Sequence, residues 1–149
     1  MSRRWWICLI VMTVGCSGNR HSQVGMTGGR LSACPDSPNC VSSQSTDPRH
    51  AIDPLRYEGT AQRARTLLIE VVSAMKRTRI VTAEDGYIHA EFTSAFLRFV
   101  DDVEFLLDDG TKTIHVRSAS RVGKNDLGVN RRRVEEIRSR FDALRQERT

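Results

Sequence analysis

Apolar positions along the chain fall into two helical stripes separated by alternating segments. In "GTAQRARTLLIEVVSAMKRTR", residues 59–79, Ala64, Leu67, Leu68, Val71, Val72 and Met75 recur at the spacing of one helix face. Thr60 stands where an N-cap belongs, and Lys76, Arg77 and Arg79 suit the negative end of the helix dipole. In "GVNRRRVEEIRSRFDALRQ", residues 128–146, Val134, Ile137, Phe141 and Leu144 share a second stripe. Here Asn130 is the expected N-cap, and Val129 and Val134 form a hydrophobic staple.

Between the stripes the period drops to two, and two Asp-Gly dipeptides suggest hairpin turns at Asp85-Gly86 and Asp109-Gly110. With two-residue loops, Val81 pairs with Ala90 and Ala83 with Ile88 in the first hairpin. In the second, Phe105 faces Ile114 and Val103 faces Val116, while Glu104 faces His115 and Asp102 faces Arg117. The expected fold is α+β: an antiparallel sheet of about four strands, two helices packed on one face, and a polar, solvated opposite face.

The N-terminus adds an address. Arg3 and Arg4 precede an apolar run, Trp5 to Val14, that is shorter than the 20 or so residues a spanning helix needs. Thr13-Val14-Gly15-Cys16 resembles a bacterial lipobox, which makes Cys16 the expected lipidation site and the membrane a partner through that anchor. The expected divisions are a lipoprotein signal peptide over 1–15, a flexible Gly/Ser-rich tether over 16–33, and a single domain over 34–149. The expected location is the cell envelope, on the extracytoplasmic side. Cleavage would leave 149 − 15 = 134 residues with 23 − 2 = 21 basic and 18 acidic side chains, so the formal charge of +5 falls to +3. Export and this modest charge argue against nucleic acid as a partner.

Export also decides how "CPDSPNCVSSQ" is read. Cys8 goes with the signal and Cys16 goes to lipid, leaving Cys34 and Cys40 as a thiol pair in an oxidising compartment, where a disulfide is expected. Five intervening residues do not fit the redox C-x-x-C spacing, and no second cysteine pair completes a zinc site, so neither metal nor cofactor is expected. His50 is read as a loop residue.

Charged positions supply the remaining chemistry. The proposed pairing absorbs Asp102 and Glu104 into cross-strand ion pairs but leaves Asp101 on the apolar side, where a carboxylate needs a partner. Arg131, Arg132 and Arg133 put three cations in the first turn of a helix, against its dipole. Either an internal network engages them, through Asp101, Asp126 or Glu135 together with Arg121, or they cradle an external anion at the helix start with Asn130.

Three stretches carry a family resemblance: "CPDSPNCVSSQ", "HAEFTSAFLRFVDDVEF" and "IHVRSASRVGKNDLGVNRRRVEEIRSRF". They resemble the motifs of the family catalogued as domain of unknown function 1499, over nearly the whole chain from Cys34 to Phe141. The resemblance implies a small bacterial protein, often exported or lipid-anchored, with no established activity. It places Cys34, Asp36, Cys40, Glu91, Asp101, Asp102, Glu104, Arg117, Ser118, Ser120, Arg121, Asp126, Asn130 and Arg131 to Arg133 on motif positions.

The leading expectation is a non-enzymatic envelope lipoprotein that binds a protein or another envelope component. One alternative is a binder of small anionic ligands at Arg121 and Arg131 to Arg133. A second is a hydrolase using His89, Glu91 and Asp101, although the chain has no G-x-S-x-G elbow, H-E-x-x-H or P-loop.

Overall fold

A computed structural model describes residues 23–148; the expected signal peptide and Cys16 lie outside the described residues. The order along the chain is β1 (Met26–Thr27), β2 (Arg30–Leu31), β3 (Cys40–Ser42), β4 (Leu55–Arg56), α1 (Ala61–Ser73), β5 (Thr78–Glu84), β6 (Tyr87–Thr93), β7 (Val100–Asp108), β8 (Thr113–Ser120) and α2 (Val129–Glu147). A six-stranded antiparallel sheet runs β3-β8-β7-β6-β5, with β4 pairing farther along β8, while β1 and β2 form a separate hairpin. The α+β architecture is as expected, and two short strands join the four long ones. Among the described residues no helix is long and apolar enough to cross a membrane.

Both helices lie on one sheet face. Leu68 and Val72 of α1 and Val134, Ile137 and Phe141 of α2 close over Ile88, Ala90, Val103, Phe105, Ile114 and Val116, and all of these side chains are buried. Thr60 caps α1 by accepting from the Arg63 amide at 3.2 Å. The helix ends at Ser73, so Lys76 and Arg77 lie beyond it and Arg79 sits in β5. At α2 the expected cap gives way: Gly128 (φ 76°) is the N-cap and Asn130 is a buried residue inside the first turn. Asp126 does the capping, accepting from the Gly128 amide at 2.9 Å and the Asn130 amide at 2.8 Å. Val129 is exposed at the helix start while Val134 is in the core.

Two register differences have local causes. In the β7–β8 hairpin Asp108, not Asp109, organises the turn: its carboxylate accepts from the Gly110 and Thr111 amides and from the Thr111 hydroxyl. The loop therefore holds four residues, with Lys112 at φ 52°, and the pairing moves by two. Glu104 faces Arg117, Phe105 faces Val116, Asp102 faces Ala119 and Asp101 faces Ser120. A shift of two keeps each side chain on its face, so the expected core survives while every expected partner changes. In the β5–β6 hairpin Ala83 does pair with Ile88, but a bulge between Ile80 and Thr82 gives Ala90 to Ile80 and turns Val81 outward.

The face away from the helices is covered, not solvated. Residues 24–32, expected within the tether, fold back so that β2 contacts β7 and β8, with Leu31 buried and its amide donating to Gln44 Oε1 at 2.9 Å. Beside this hairpin, Cys34 and Cys40 form a disulfide. His50 is buried behind it, with Nδ1–H donating to the Cys40 carbonyl at 2.8 Å.

The bulge predicts an inverted pair of costs. Ile80→Ser should lower the denaturation free energy by about 1–2 kcal/mol, and Val81→Ser by less than about 0.5 kcal/mol. Urea titration checks this, and the opposite ranking would restore the unbulged register.

Candidate functional site

Alternation in β6, β7 and β8 sends Tyr87, His89, Glu91, Asp102, Glu104 and Arg117 to the face opposite the helices. There they form two neighbouring groups of charge-assisted bonds, centred on Glu104 and on Asp102. Glu104, fully buried, accepts from Arg117 Nη1 at 2.9 Å, the Tyr87 hydroxyl at 2.8 Å and the Gly25 amide at 2.6 Å. Asp102, also buried, accepts from His89 Nε2 at 2.8 Å and from Arg121 at 2.9 and 2.7 Å. Arg121 reaches on to Glu91 at 2.5 Å, and Arg79 closes the row on Glu91 at 2.7 Å. Three carboxylates thus meet three guanidinium groups and one imidazole. Such burial is tolerable only because each carboxylate is met by several donors.

The protonation tendencies follow. Burial pushes the Glu91 carboxyl up, but hydrogen bonds from Arg79 and Arg121 outweigh it and the group sits below its ordinary value. Its stabilising contribution is therefore present above the unfolded value of about 4.3 and lost as pH falls through the lower folded value. The hydrogen bond to Asp102 holds the Arg121 guanidinium more firmly charged than usual. Burial, then the bond to Glu104, pushes the Tyr87 hydroxyl up.

The three arginines at the start of α2 are engaged by the protein's own groups. Arg133 donates to Asp101 at 2.6 Å and Asn130 Oδ1 at 2.7 Å, and its guanidinium lies 4.9 Å from the Phe92 ring centroid. Asp101 thereby has its partner on the helix side. Arg131 caps the Ala51 carbonyl at 2.8 Å, and Arg132 caps that of Leu127 at 2.8 Å. Asn130 joins the helix start to the sheet, accepting from Ser118 at 2.5 Å and donating to Ser120 at 2.9 Å and the Asn39 carbonyl at 3.1 Å. With Asp126 on the first amides, the helix start is filled by the protein's own groups. Of the residues named for the hydrolase reading, His89 and Glu91 share the charged face, while Asp101 lies on the other side of the sheet.

A cleft of about 680 Å³ opens between the disulfide loop and β8, lined by Cys34, Asp36, Arg117, Arg121 and Lys124 among others. Its distinctive member is Arg117. This side chain is 1% exposed, and its Nε makes no hydrogen bond. Tyr87, Asn39 and Lys124 escaped the sequence reading, and Arg79 was read as a helix-end cation; the alternation Tyr87-His89-Glu91 was the available signal for the first. Among the described residues no group of three or more His, Cys, Asp or Glu could hold a metal ion.

A helix-backed antiparallel sheet whose opposite face carries a buried charged network defines a class of small α+β domain. The chain matches the family described as Protein of unknown function (DUF1499) over residues 30–141, and it belongs to that family. No curated protein and no solved structure matches it.

Glu104→Ala, which strands Arg117, should cost about 3–5 kcal/mol in chemical denaturation, whereas Arg79→Ala at the exposed rim should cost under about 1 kcal/mol. Equal costs would mean that the buried pair contributes no more than the rim pair. Alkaline titration offers a second check. Burial and the Asp109 hydrogen bond push Tyr57 up to about 12, and Tyr87 is raised as well. An acid with a raised folded pKa stabilises the fold below its unfolded value, about 10, and loses that contribution as pH rises. Tyrosinate absorbance should therefore stay absent from the folded protein near pH 10 and rise only together with unfolding.

Proposed function

We propose that this protein is an extracytoplasmic lipoprotein, anchored at Cys16, whose domain binds rather than transforms, and that it holds a small anion in the cleft between the disulfide loop and β8. The observation that carries the reading is Arg117. A fully buried guanidinium with an unbonded Nε, on the wall of a cleft that also presents Arg121 and Lys124, matches a phosphate, sulfate or carboxylate group. The carboxylates around these cations do not cancel the preference. Glu104 and Asp102 balance the charge of Arg117 and Arg121 without using every donor, since Arg117 Nε is unbonded; Lys124 adds a further cation, and Asp36 is drawn to Arg49 at 3.0 Å. The cleft replaces the helix start as the anion site, because the first amides of α2 are engaged by Asp126.

Thermal denaturation in inorganic phosphate, sulfate and acetate tests this reading. The expected result is a rise in Tm equivalent to about 2.7 kcal/mol at a hundredfold excess over Kd. Lys124→Gln should reduce the rise and leave the ligand-free Tm unchanged, while Arg132→Gln should retain it. No rise with any of the anions, or the same rise in Lys124→Gln, would remove the cleft from consideration.

A further inference from the structure

The described residues leave a cluster of large apolar side chains in water at one end of the sheet. Phe96 is 96% exposed, Leu127 80% and Leu97 70%, with Phe99, Val122 and Val129 also exposed. They come from two segments, 94–99 after β6 and 121–129 before α2, joined where the Arg121 amide donates to the Val100 carbonyl at 3.2 Å. Neither segment is a loose end. Ser94 and Phe99 exchange two bonds, at 2.8 and 2.9 Å, and the Leu127 amide is held by Asn125 Oδ1 at 2.8 Å. Six large apolar side chains held in water on two joined, hydrogen-bonded segments mark an interaction surface.

The surrounding charge narrows the occupant. Lys76, Arg77, Arg98, Lys124 and Arg132 are exposed around the patch, and a hollow of about 640 Å³ lies among Lys76, Arg77 and Arg132. The nearby acids are engaged: Asp126 caps α2, and Glu136 accepts from Arg140 at 2.8 Å. Position narrows it further. The first described residue, Gln23, lies in the cleft with Ser120, Arg121 and Lys124, so the chain enters the domain at this end. The 23 − 16 = 7 steps back to Cys16 reach at most about 25 Å, at roughly 3.5 Å per residue. The Asp85-Gly86 and Asp109-Gly110 turns lie at the opposite end of the strands.

We propose that this end of the domain docks on a bilayer. Phe96, Leu97 and Leu127 enter the boundary between headgroups and acyl chains, and the ring of cations meets the phosphates of anionic phospholipids. The patch and its charge are read from the described residues, while the argument from position rests on the anchor proposed at Cys16; together they would fix the orientation of a domain that an anchor alone leaves free to tumble.

The test uses the full chain with Leu97→Trp in a background of Trp5→Phe and Trp6→Phe, so that the reporter is the sole tryptophan. A matched chain carries Asp85→Trp instead. On phosphatidylcholine vesicles containing phosphatidylglycerol, emission from the Leu97→Trp chain should shift to the blue and be quenched by brominated acyl chains, while the Asp85→Trp chain should show neither effect. Adding Lys76→Gln and Arg98→Gln should weaken the response of the Leu97→Trp chain about fivefold per charge at low salt. A reporter at position 97 that remains in water on these vesicles, or equal quenching at position 85, would overturn the proposal. So would a lipid-free blue shift that grows with protein concentration, because it would assign the patch to a second copy of the chain. The phosphate-dependent Tm is unaffected by either outcome, so failure here and failure of the cleft are separable.

Discussion

Glu104 is the residue around which the second face of the sheet is organised. A carboxylate at the centre of a six-stranded sheet, with no exposed surface, is stable only if its charge is answered on every side. Arg117 answers it across the strand pair, Tyr87 from the neighbouring strand, and the Gly25 amide from a segment 79 residues away in sequence. The last contact matters most for the architecture. It draws the β1–β2 hairpin over the sheet, and that cover in turn lowers the local dielectric and strengthens the same bonds.

The opposite face follows ordinary apolar logic, with one polar exception. Asn130 uses its side chain to bind Ser118, Ser120 and Asn39 together, so the start of α2, the end of β8 and the disulfide loop share one fixed point. Removing the amide would leave several buried groups unpaired at once, a costlier change than the loss of one bond. The neighbouring Arg133 and Asp101 extend this junction from α2 to β7. The two faces of the sheet are thus held by different means, packing with a polar rivet on one and a charge lattice on the other.

Periodicity made the architecture legible in the sequence. Both helices, the four long strands and the faces of β6, β7 and β8 follow from spacing, because a side chain's face depends on parity along an unbulged strand. The core residues of β3, β4 and their flanks, Val41, Ile52, Leu55 and Tyr57, lie in stretches too short to show a period. What periodicity does not carry is offset. Asp108 competes with Asp109 to begin the turn, and the choice moved the register by two, giving Arg117 to Glu104 instead of Asp102. The bulge at Val81 was hidden for a similar reason, since Ile80 and Val81 are equally suited to the core. Asn130 looks like a cap because Asn is common there; the Asp four residues earlier, with Gly128 between them in a left-handed turn, is the better reading. The solvated polar face was an inference from strand alternation, and an alternating pattern alone does not reveal whether another segment covers the polar side.

The bulge has a consequence beyond stability. β5 is an edge of the sheet, and the other edge is divided between the short strands β3 and β4. An edge that is bent by an extra residue, or broken into pieces of two or three, offers a poor template for a strand from another molecule. On the anchor proposed at Cys16, copies would share a surface and meet far more often than in three dimensions, in a restricted set of orientations. Irregular edges would then act as insulation, letting copies crowd side by side without their sheets joining.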